Sequence, residues 1–575
     1  MQTKHTVRKP GGIGSSLVVG PVLIMLSLSG CGDNDVNSPA ATPLSCTQLV
    51  GKTVPASSIG LPTTGATVTA ATTMPAAGTG AQATGEYCLV SGAINPVSPA
   101  APQIKFQIAM PTAWNNKIMM FGGGGYDGTI PAPTGNVPAG PTTQLTPLGR
   151  GYATFASDSG HQANALGSED GSFGVNDEAV QNFSGDALKK TRDAAVYLID
   201  ARYAVKAPKR AYFAGGSSGG REALAVVQRW PQDWDGSIVL YPAWAAASLD
   251  LQFGRITRAL AAPGAYPDQA KRKVLLNAVL AACDTLDGVA DGLISNVAAC
   301  NATFNPATAT VNGTPLRCAG GADTGDACLS DAQIAALNVY NTPITFGYPL
   351  ASGETQFPGF NVYGADLGVA NPSALQPTVT TLALGTSQPA SPMPTTAPYL
   401  SVFWDQWIRY FVTRDPNANS LSVDPQNPGS LQARISQLTG LQDVNKTDLS
   451  AFNAKGGKIL MAHGMADALV STRSSEQYYQ RLQATMGASA VTNFVRFYEI
   501  PGYGHAVSSV YNAAWDSLTT LENWVEKGVT PPAQTVADTA GVPGRTRPLC
   551  EYPSFPRYNG SGDINAASSF TCATQ

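Results

Sequence analysis

A serine flanked by glycines is the residue in this chain best suited to nucleophilic chemistry. The segment AYFAGGSSGG (residues 211–220) holds Ser217 in a G-x-S-x-G pattern, after an apolar run that predicts a strand and before a pattern (221–230) that predicts a helix. A strand, sharp turn and helix of this kind expose the serine hydroxyl at a sheet edge, and the strained turn requires glycine. A glycine-rich turn with incidental serines is the alternative. The flanking strand and helix favour a nucleophile.

A serine nucleophile needs a general base, and the base needs a carboxylate that orients it. Three histidines lie beyond the N-terminal segment: His161, His463 and His505. Asp467 follows the apolar run KILMA (458–462), and His505 follows FVRFYEI (494–500). The chain order Ser, Asp, His is that of α/β-hydrolases, with each residue on a loop after a strand. We therefore predict Ser217 as nucleophile, His505 as base and Asp467 as orienting acid, and a structural role for His161 and His463.

Backbone N–H groups near the serine could stabilise the negative charge of an acyl-transfer transition state. Four glycines (122–125) follow the buried strand predicted for KIMMF (117–121). Glycine amides allow a substrate to approach unhindered, so we predict the N–H of Gly122 as one donor, with Gly123 the next choice. The N–H of Ser218, directly after the nucleophile, is predicted as the other. The alternative for the glycines is a flexible loop.

Alternating strand and helix patterns position these residues. Strands are predicted at 104–110, 117–121, 152–156, 237–241, 458–462 and 494–500, and helices at 186–203, 474–482 and 511–524. This alternation predicts a mostly parallel α/β sheet, that is, an α/β-hydrolase fold. The rhythm stops near residue 243 and resumes near 445, which indicates a large inserted lid. We assign 46–243 to the first part of the core, 244–447 to the lid, and 448–575 to the second part of the core with a loop-like tail at 531–575.

Composition and the N-terminus indicate an exported protein. The net charge is −4 with scattered Lys and Arg, which argues against nucleic acid as a partner. Residues 1–30 combine basic residues with a short apolar run typical of a signal peptide. They end in LSG, which together with Cys31 resembles a bacterial lipobox and predicts lipidation of Cys31, and a polar tether is predicted at 31–45. We predict a lipoprotein in the periplasm or on the outer membrane, with its lipid anchor as the only membrane contact. An ordinary secretory signal with a chance cysteine is the alternative.

The other cysteines form an even set, as expected of disulfides in an exported chain. Close spacing favours three pairs, Cys318 with Cys328, Cys283 with Cys300, and Cys550 with Cys572, which leaves Cys46 and Cys88. Sequence alone permits many other pairings.

An acidic loop between Cys283 and Cys300 is a candidate metal site. Asp284, Asp287 and Asp291 stand close together among glycines, and Ca²⁺ prefers carboxylate and carbonyl oxygens. The spacing is not that of an EF-hand, and a solvated acidic turn is the alternative.

The residues from about 46 to 572 resemble the tannase and feruloyl esterase family, which includes mono(2-hydroxyethyl) terephthalate hydrolases. The matching motifs are GGSSGGRE (215–222), HGMAD (463–467), PGYGH (501–505) and RTRPLCEYP (545–553). The resemblance implies an α/β-hydrolase fold and a triad of Ser217, Asp467 and His505. It also implies a structural lid calcium held by Asp284, Asp287 and Asp291 and by the carbonyls of Val289 and Leu293.

This chain departs from the family pattern below the predicted triad. Many members carry a disulfide between the residue before the serine and the residue after the histidine, whereas this chain has Gly216 and Ala506 there. Both cysteines are absent together, so packing must replace the crosslink.

The expected reaction is hydrolysis of a small aromatic carboxylic ester through an acyl-enzyme, with feruloyl or galloyl esters favoured. The aromatic stretch 403–411 is a candidate binding wall, although lid core is the more ordinary role for such a stretch. Terephthalate half-esters are the alternative, and Arg409 or Arg414 could then bind the free carboxylate. A serine peptidase, an acyltransferase or a non-catalytic calcium-binding surface protein is more remote. The sequence leaves the oligomeric state open.

Overall fold

The computed structural model describes residues 42–574. Its strands are Thr53–Val54 (β1), Ala66–Met74 (β2), Tyr87–Ile94 (β3), Ile104–Pro111 (β4), Lys117–Phe121 (β5), Ala153–Ser157 (β6), Arg210–Gly216 (β7), Gly236–Leu240 (β8), Thr310–Val311 (β9), Thr314–Pro315 (β10), Ile344–Thr345 (β11), Gln356–Phe357 (β12), Lys458–Gly464 (β13), Val495–Ile500 (β14), Ala513–Ala514 (β15), Gln534–Asp538 (β16), Thr546–Glu551 (β17), Phe555–Tyr558 (β18) and Phe570–Ala573 (β19).

The α-helices alternate with these strands and also fill the long connection between β8 and β13. They are Asp177–Gln181 (α1), Ala187–Tyr203 (α2), Ser218–Arg229 (α3), Ala246–Leu260 (α4), Gln269–Cys283 (α5), Val297–Thr303 (α6), Asp331–Asn341 (α7), Gln376–Leu382 (α8), Tyr399–Gln406 (α9), Gln432–Gln442 (α10), Ser450–Ala454 (α11), Thr472–Met486 (α12), Ala488–Thr492 (α13) and Ser517–Lys527 (α14).

One sheet of thirteen strands runs through the described region, in the order β1-β2-β3-β4-β6-β5-β7-β8-β13-β14-β17-β16-β15. The six central strands, β6 to β14 in that order, are parallel to one another. The flanking strands join them antiparallel, through β4 on one side and β17 on the other. The sheet is therefore mixed, with the predicted parallel arrangement confined to its centre. This confirms the predicted α/β-hydrolase fold class.

The central strands are buried on both faces, as expected of parallel strands covered by helices. In β5, Ile118 and Met120 pack with the residues of α2 and α3, whereas Met119 packs on the opposite face with α14. All three side chains are at most 1% exposed. This apolar sandwich fixes the positions of the strand ends, where the predicted catalytic residues lie.

Adjacent strands β8 and β13 are separated in sequence by residues 241–457. The sequence shows no strand and helix rhythm over most of this stretch, but the structure places eight α-helices in it, α4 to α11. The longest are α4, which is buried on several sides, and α5, whose single buried face includes the charged Lys271 and Arg272, so neither buried surface is a simple apolar stripe. Cavity-lining residues from this segment, described below, lie beside Ser217.

The predicted C-terminal elements need two corrections. The helix predicted at 511–524 begins only at Ser517, because Ala513 and Ala514 form the edge strand β15. The tail predicted as loop contains four strands, β16 to β19, of which β16 and β17 extend the main sheet. These strands are short and hold few consecutive apolar residues, so periodicity does not reveal them.

The three disulfides favoured by the spacing are present, Cys283–Cys300, Cys318–Cys328 and Cys550–Cys572, and the two remaining cysteines form Cys46–Cys88. The predicted signal peptide, Cys31 and most of the tether lie outside the described residues. Among residues 42–574 no helix has the length and apolar character needed to cross a bilayer.

Candidate active site

Ser217 lies at the sharp turn between β7 and α3. Its φ of 60° and ψ of −124° are strained values for a residue with a side chain. Two backbone bonds hold the turn, because the Ser217 N–H donates to Leu240 O at 3.1 Å and its carbonyl accepts from the Ala243 N–H at 3.1 Å. A Cβ at Gly215 would lie 2.2 Å from the carbonyl oxygen of Gly219, so the turn admits only glycine there.

His505 and Asp467 reach this serine from the next loops along the sheet. Asp467 follows β13 and His505 follows β14, and since β7, β13 and β14 are parallel, their carboxyl ends share one edge. The Ser217 Oγ is 2.9 Å from His505 Nε2, and His505 Nδ1 is 2.8 Å from Asp467 Oδ2. The carboxylate selects the tautomer with hydrogen on Nδ1, which leaves Nε2 to accept the serine proton.

Asp467 is buried and well supplied with hydrogen-bond donors. Its Oδ1 accepts from the N–H groups of Leu469 and Val470 at 2.7 and 2.8 Å. Burial alone raises the pKa of Asp467, but His505 and His463 outweigh that effect and hold the pKa well below its ordinary value. The carboxylate therefore stays ionised at neutral pH and can stabilise a protonated His505.

His463 supports Asp467 from the other side. Its Nε2 lies 3.2 Å from Asp467 Oδ2 and 3.0 Å from the carbonyl of Val470, and its Nδ1 lies 2.8 Å from Ser475 Oγ. Two acceptors at Nε2 assign the hydrogen to that atom, so Nδ1 accepts from the serine hydroxyl. His463 is fully buried, in keeping with the structural role expected of it.

His161 lies outside the hydrogen-bonded line of Ser217, His505 and Asp467. It stacks on Phe173 with ring centroids 3.6 Å apart, and neither of its ring nitrogens has a hydrogen-bond partner within residues 42–574. Burial lowers the pKa of His161 to about 4, so the ring is neutral at pH 7.

The glycine loop after β5 lies beside the serine turn because β5 and β7 are neighbours. The Gly122 N–H donates to the carbonyl of Ala214 at 3.0 Å, and the Gly123 N–H donates to Glu222 Oε2 at 2.9 Å. Both predicted donors therefore already have acceptors within the protein. Gly122 continues the hydrogen bonding between β5 and β7 by one residue, and Gly123 is bound by the Glu222 carboxylate. This geometry does not favour the role predicted for Gly122.

The N–H groups of the next two loop residues are better placed to bind an oxyanion. Within the described chain the N–H groups of Gly124 and Gly125 have no protein acceptor, and Gly125 lines the same cavity as Ser217. Ser218 begins α3, so its N–H has no partner inside the helix. Its hydroxyl donates to the carbonyl of Gly125 at 2.6 Å, which fixes the loop against the start of the helix.

A mostly apolar cavity opens beside Ser217, between the core and the inserted segment. It is lined by Gly125, Tyr126, Phe183, Ser217, Ser218, Ala243, Ala246, Leu249, Asp250, Phe253, Tyr399, Phe403, Gln442, Leu469 and Val470. The sequence analysis does not predict most of these cavity-lining residues, because those on α4 belong to no recognisable catalytic or binding motif.

The aromatic stretch predicted as a binding wall divides between two roles. Phe403 reaches the cavity and stacks on Tyr126 with ring centroids 3.6 Å apart, whereas Trp404, Trp407 and Phe411 are fully buried in the core. The candidate arginines do not line the cavity. Arg409 binds Asp405 Oδ2 at 3.1 Å, and Arg414 pairs with the exposed Asp177.

The acidic loop predicted to bind calcium lies after α5, where Asp284–Asp287 forms a 3₁₀ turn. Asp284 accepts from the Gly292 N–H at 3.0 Å, and Asp291 pairs with Arg547. Asp287 Oδ2 is buried without a hydrogen-bond partner in the described region. No cluster of three or more His, Cys, Asp or Glu side chains within 42–574 is arranged to hold a metal. A free, buried carboxylate oxygen nevertheless fits a hard cation bound there.

The mixed sheet, the strained serine turn and the Ser217–His505–Asp467 line together define an α/β-hydrolase. The model of the tannase and feruloyl esterase family matches residues 88–573. The chain therefore belongs to that family and is a carboxylic ester hydrolase, as the motifs predicted.

Relatives of similar length support this assignment. The chain is 38% identical to an uncharacterized esterase of Agrobacterium fabrum, over 92% of this chain and 93% of the relative. It is 32% identical to the mono(2-hydroxyethyl) terephthalate hydrolase of Piscinibacter sakaiensis, over 85% of each chain.

Solved structures show the same fold. Feruloyl esterase B from Aspergillus oryzae superimposes with a TM-score of 0.71 at 22% identity, covering 89% of this chain and 98% of that one. Tannin acyl hydrolase from Aspergillus niger gives a TM-score of 0.64 at 20% identity, covering 89% and 92%.

Proposed function

We propose that this esterase hydrolyses esters of aromatic carboxylic acids through an acyl-enzyme on Ser217. The observation that carries the proposal is the hydrogen-bonded line from Ser217 through His505 to Asp467, at the wall of a cavity with aromatic sides. A nucleophile bonded to a base that is itself oriented by a carboxylate is the arrangement such chemistry requires.

In the first half-reaction Ser217 Oγ attacks the ester carbonyl carbon while its proton passes to His505 Nε2. The carbonyl oxygen becomes an oxyanion, for which the N–H groups of Ser218 and Gly125 are the proposed donors. The oxyanion then collapses, the bond to the alcohol breaks, and His505 returns its proton to the leaving alcohol. Asp467 holds the imidazole in place and stabilises its charged form throughout.

In the second half-reaction a water molecule attacks the acyl group on Ser217. His505 Nε2 takes a proton from the water, and the same two amides receive the new oxyanion. Collapse releases the carboxylic acid and returns the proton to Ser217. The apolar, partly closed cavity strengthens these hydrogen bonds because little water screens them.

Feruloyl or galloyl esters are the proposed substrates. The cavity beside Ser217 has aromatic side chains, Tyr126 and Phe403 among them, that suit a planar acyl group. No Lys or Arg is among the residues that line it, so a second carboxylate on the acyl group would lack a counter-charge. Terephthalate half-esters are the second candidate, because one relative is a mono(2-hydroxyethyl) terephthalate hydrolase.

Side-by-side kinetics test the proposal. We expect the mature protein to hydrolyse methyl ferulate or methyl gallate with a higher kcat/KM than mono(2-hydroxyethyl) terephthalate, and Ser217→Ala to abolish all three activities. Faster turnover of the terephthalate ester would support the second candidate. Hydrolysis of peptides or transfer to added alcohols in place of these reactions would contradict the proposal.

A structural calcium ion in the 284–293 loop is also proposed. The supporting observation is the unpartnered, buried Asp287 Oδ2. Asp284, Asp287 and Asp291, with the carbonyls of Val289 and Leu293, would hold the ion, and Asp291 would then share its carboxylate with Arg547. When bound, the ion would stabilise the inserted segment.

We propose further that the mature protein is an exported lipoprotein anchored through Cys31. Four disulfides support export. Expression in a bacterial host with a labelled fatty acid tests the anchor. The wild type should take up label and sediment with membranes, whereas Cys31→Ser should do neither. Unlabelled, freely soluble wild type would indicate an ordinary secretory signal.

A further inference from the structure

A second cavity lies between the inserted segment and the C-terminal strands. Its volume is about 560 Å³, within the range of about 300–1,000 Å³ that is typical of small-molecule sites. Residues of α6, α12, β14 and the turn between β17 and β18 line it. Within residues 42–574 it has no lining residue in common with the cavity beside Ser217, so it is a site of its own.

Two carboxyl groups in the wall of this second cavity are paired with each other. Glu499 on β14 is 5% exposed, and its Oε1 receives no bond from an N–H or O–H group of residues 42–574. The Glu476 carboxyl on α12 lies within hydrogen-bonding distance of it. Burial and the charge of Glu476 raise the pKa of Glu499 well above its ordinary value. Two carboxyl groups bond each other only when one carries a proton, so at pH 7 the pair keeps one proton and one negative charge.

A buried amide in the same wall has an unused donor. Asn361 is 4% exposed, and its Oδ1 accepts from Arg473 Nε at 2.7 Å, which identifies the other amide atom as Nδ2. Asn361 lines the cavity, and its Nδ2 has no acceptor among residues 42–574. Arg473 is itself fixed, because its Nη1 donates to the carbonyl of Asn341 at 2.7 Å. Unpaired buried polar groups of both kinds call for a ligand that donates and accepts hydrogen bonds.

The charges in this wall favour a neutral ligand. Arg473 carries one positive charge and the Glu476–Glu499 pair one negative charge, and no other lining residue is charged. Among the described residues no third His, Cys, Asp or Glu joins the pair to hold a metal. A neutral ligand with several hydroxyl groups suits the wall, because each hydroxyl can both donate and accept a hydrogen bond.

Two aromatic side chains add an apolar surface to the cavity. Phe555 is buried and Tyr552 is half-buried. The Tyr552 hydroxyl accepts from Gln480 Nε2 at 2.6 Å, which holds the ring in place. Rings of this kind pack well on the C–H groups of a flat, partly apolar ligand. Hydroxyl groups around the edge and C–H groups on the face are the combination that a sugar ring presents.

We propose that this second cavity binds a neutral sugar ring. Neighbouring hydroxyl groups of the sugar would donate to the Glu476–Glu499 pair and accept from Asn361 Nδ2. The C–H face of the ring would pack on Tyr552 and Phe555. The site would bind the sugar without cleaving it, because glycosidases hold their two carboxyl groups about 5–10 Å apart, whereas these two are in hydrogen-bonding contact.

Neutral glycosides added to the mature wild-type protein test the proposal, with saturation-transfer NMR as the readout. The probes are the methyl glycosides of glucose, mannose, xylose and arabinose, and glucosamine and glucuronate are their charged counterparts. We expect at least one neutral glycoside to bind with a Kd of about 1 mM or below. The charged sugars should bind about tenfold more weakly, because the wall offers no unpaired counter-charge.

Variants of the wall locate the bound sugar. Glu499→Leu and Asn361→Leu should each weaken binding by about tenfold or more, since each removes a hydrogen-bonding group. Glu499→Gln keeps an acceptor and a donor and should retain most of the affinity. Asp326→Asn and Asn417→Leu, both at exposed positions, are the matched controls and should bind as the wild type does. A fluorophosphonate adduct on Ser217 should leave sugar binding unchanged, because the two cavities are separate.

Failure of every neutral glycoside to bind, or tighter binding of a charged sugar, overturns the proposal. So does an affinity that folded Glu499→Leu and Asn361→Leu proteins leave unchanged, or one that the adduct on Ser217 abolishes, because the sugar would then lie elsewhere. If Glu499→Leu does not fold, Asn361→Leu and the adduct decide the question. Hydrolysis of methyl ferulate is measured separately, so its absence would bear on the proposed function and not on this site.

Discussion

The ring of Tyr241 occupies the space that a side chain at Gly216 would need. A Cβ on Gly216 would lie 2.4 Å from Tyr241 Cε2. The same ring packs on His505 with centroids 4.9 Å apart. Gly216 and Ala506 are the positions at which the family resemblance implies a disulfide in many members. In this chain an aromatic ring lies between the serine turn and the histidine loop, and its packing links them.

Adding a methyl group at Gly216 should therefore disturb both stability and activity. Gly216→Ala forces Tyr241 to move and should lower the free energy of unfolding by about 1–3 kcal/mol, the usual range for overpacking. Urea unfolding measures the first effect and kcat on methyl ferulate the second. Gly85→Ala, where a Cβ meets nothing within 4 Å, is the control. Equal stability of the two variants would show that Tyr241 yields freely and does not hold His505.

Replacing the orienting carboxylate should remove most of the activity without unfolding the protein. Asp467→Asn keeps the shape of the side chain but no longer selects the Nδ1–H tautomer of His505, so kcat should fall by about ten-thousand-fold. Initial rates with methyl ferulate test this, with Asp326→Asn as the control. A loss of less than tenfold in a folded Asp467→Asn protein would mean that another group orients the base.

His161 should make stability fall in mild acid. Burial lowers its pKa to about 4 in the folded protein, against an ordinary value of 6.5, so the unfolded chain binds the extra proton between these values. The stability that depends on a neutral His161 is fully present above pH 6.5 and is lost as the pH falls towards 4. Between about pH 7.5 and about pH 5 the wild type should lose about 2 kcal/mol relative to His161→Phe.

Urea unfolding of both proteins at the two pH values measures this difference, and the comparison cancels the titration of other groups. Asp170 is the carboxylate whose charge opposes the shift at His161, so Asp170→Asn should enlarge the difference. A difference that does not change with pH would place His161 in contact with solvent.

Removing calcium should lower the thermal midpoint if the 284–293 loop binds the ion. Calcium at a hundredfold excess over its dissociation constant stabilises the folded state by about 2.7 kcal/mol. Scanning calorimetry with calcium and with a chelator measures this shift. The shift should be reduced in Asp287→Asn and retained in Asp326→Asn. A midpoint that calcium leaves unchanged in the wild type would contradict the proposed site.

The centre of the fold could be predicted because its residues combine two strong signals. Strands β5, β7 and β13 each contain a continuous apolar run, and β14 is apolar except for Arg496 and Glu499. Each strand leads into a segment with glycines or a residue able to do chemistry. The run KIMMF was predicted at the bounds of β5. Chain order then selected the Ser217, Asp467 and His505 set, which the structure brings together.

The rest of the site depends on packing, which leaves little mark on the sequence. Its position directly after a buried strand favours Gly122 as oxyanion donor. In the structure its N–H instead donates to the carbonyl of Ala214 and extends the hydrogen bonding between β5 and β7 by one residue. Only the strand register reveals this bond. Asp250 lies in α4, a helix that the sequence analysis does not predict and that is buried on several sides. Neither Asp250 nor Gln442 belongs to a motif, so nothing short of the fold could bring them to one cavity.

The reactivity of Ser217 towards a fluorophosphonate probe tests the central claim most directly. A serine activated by His505 and faced by oxyanion donors should react with the probe, and peptide mass spectrometry should find the adduct on Ser217. Ser217→Ala should take up no probe, and His505→Ala should react far more slowly. Labelling that persists in Ser217→Ala, or a wild-type protein that remains unlabelled while it hydrolyses esters, would contradict the account.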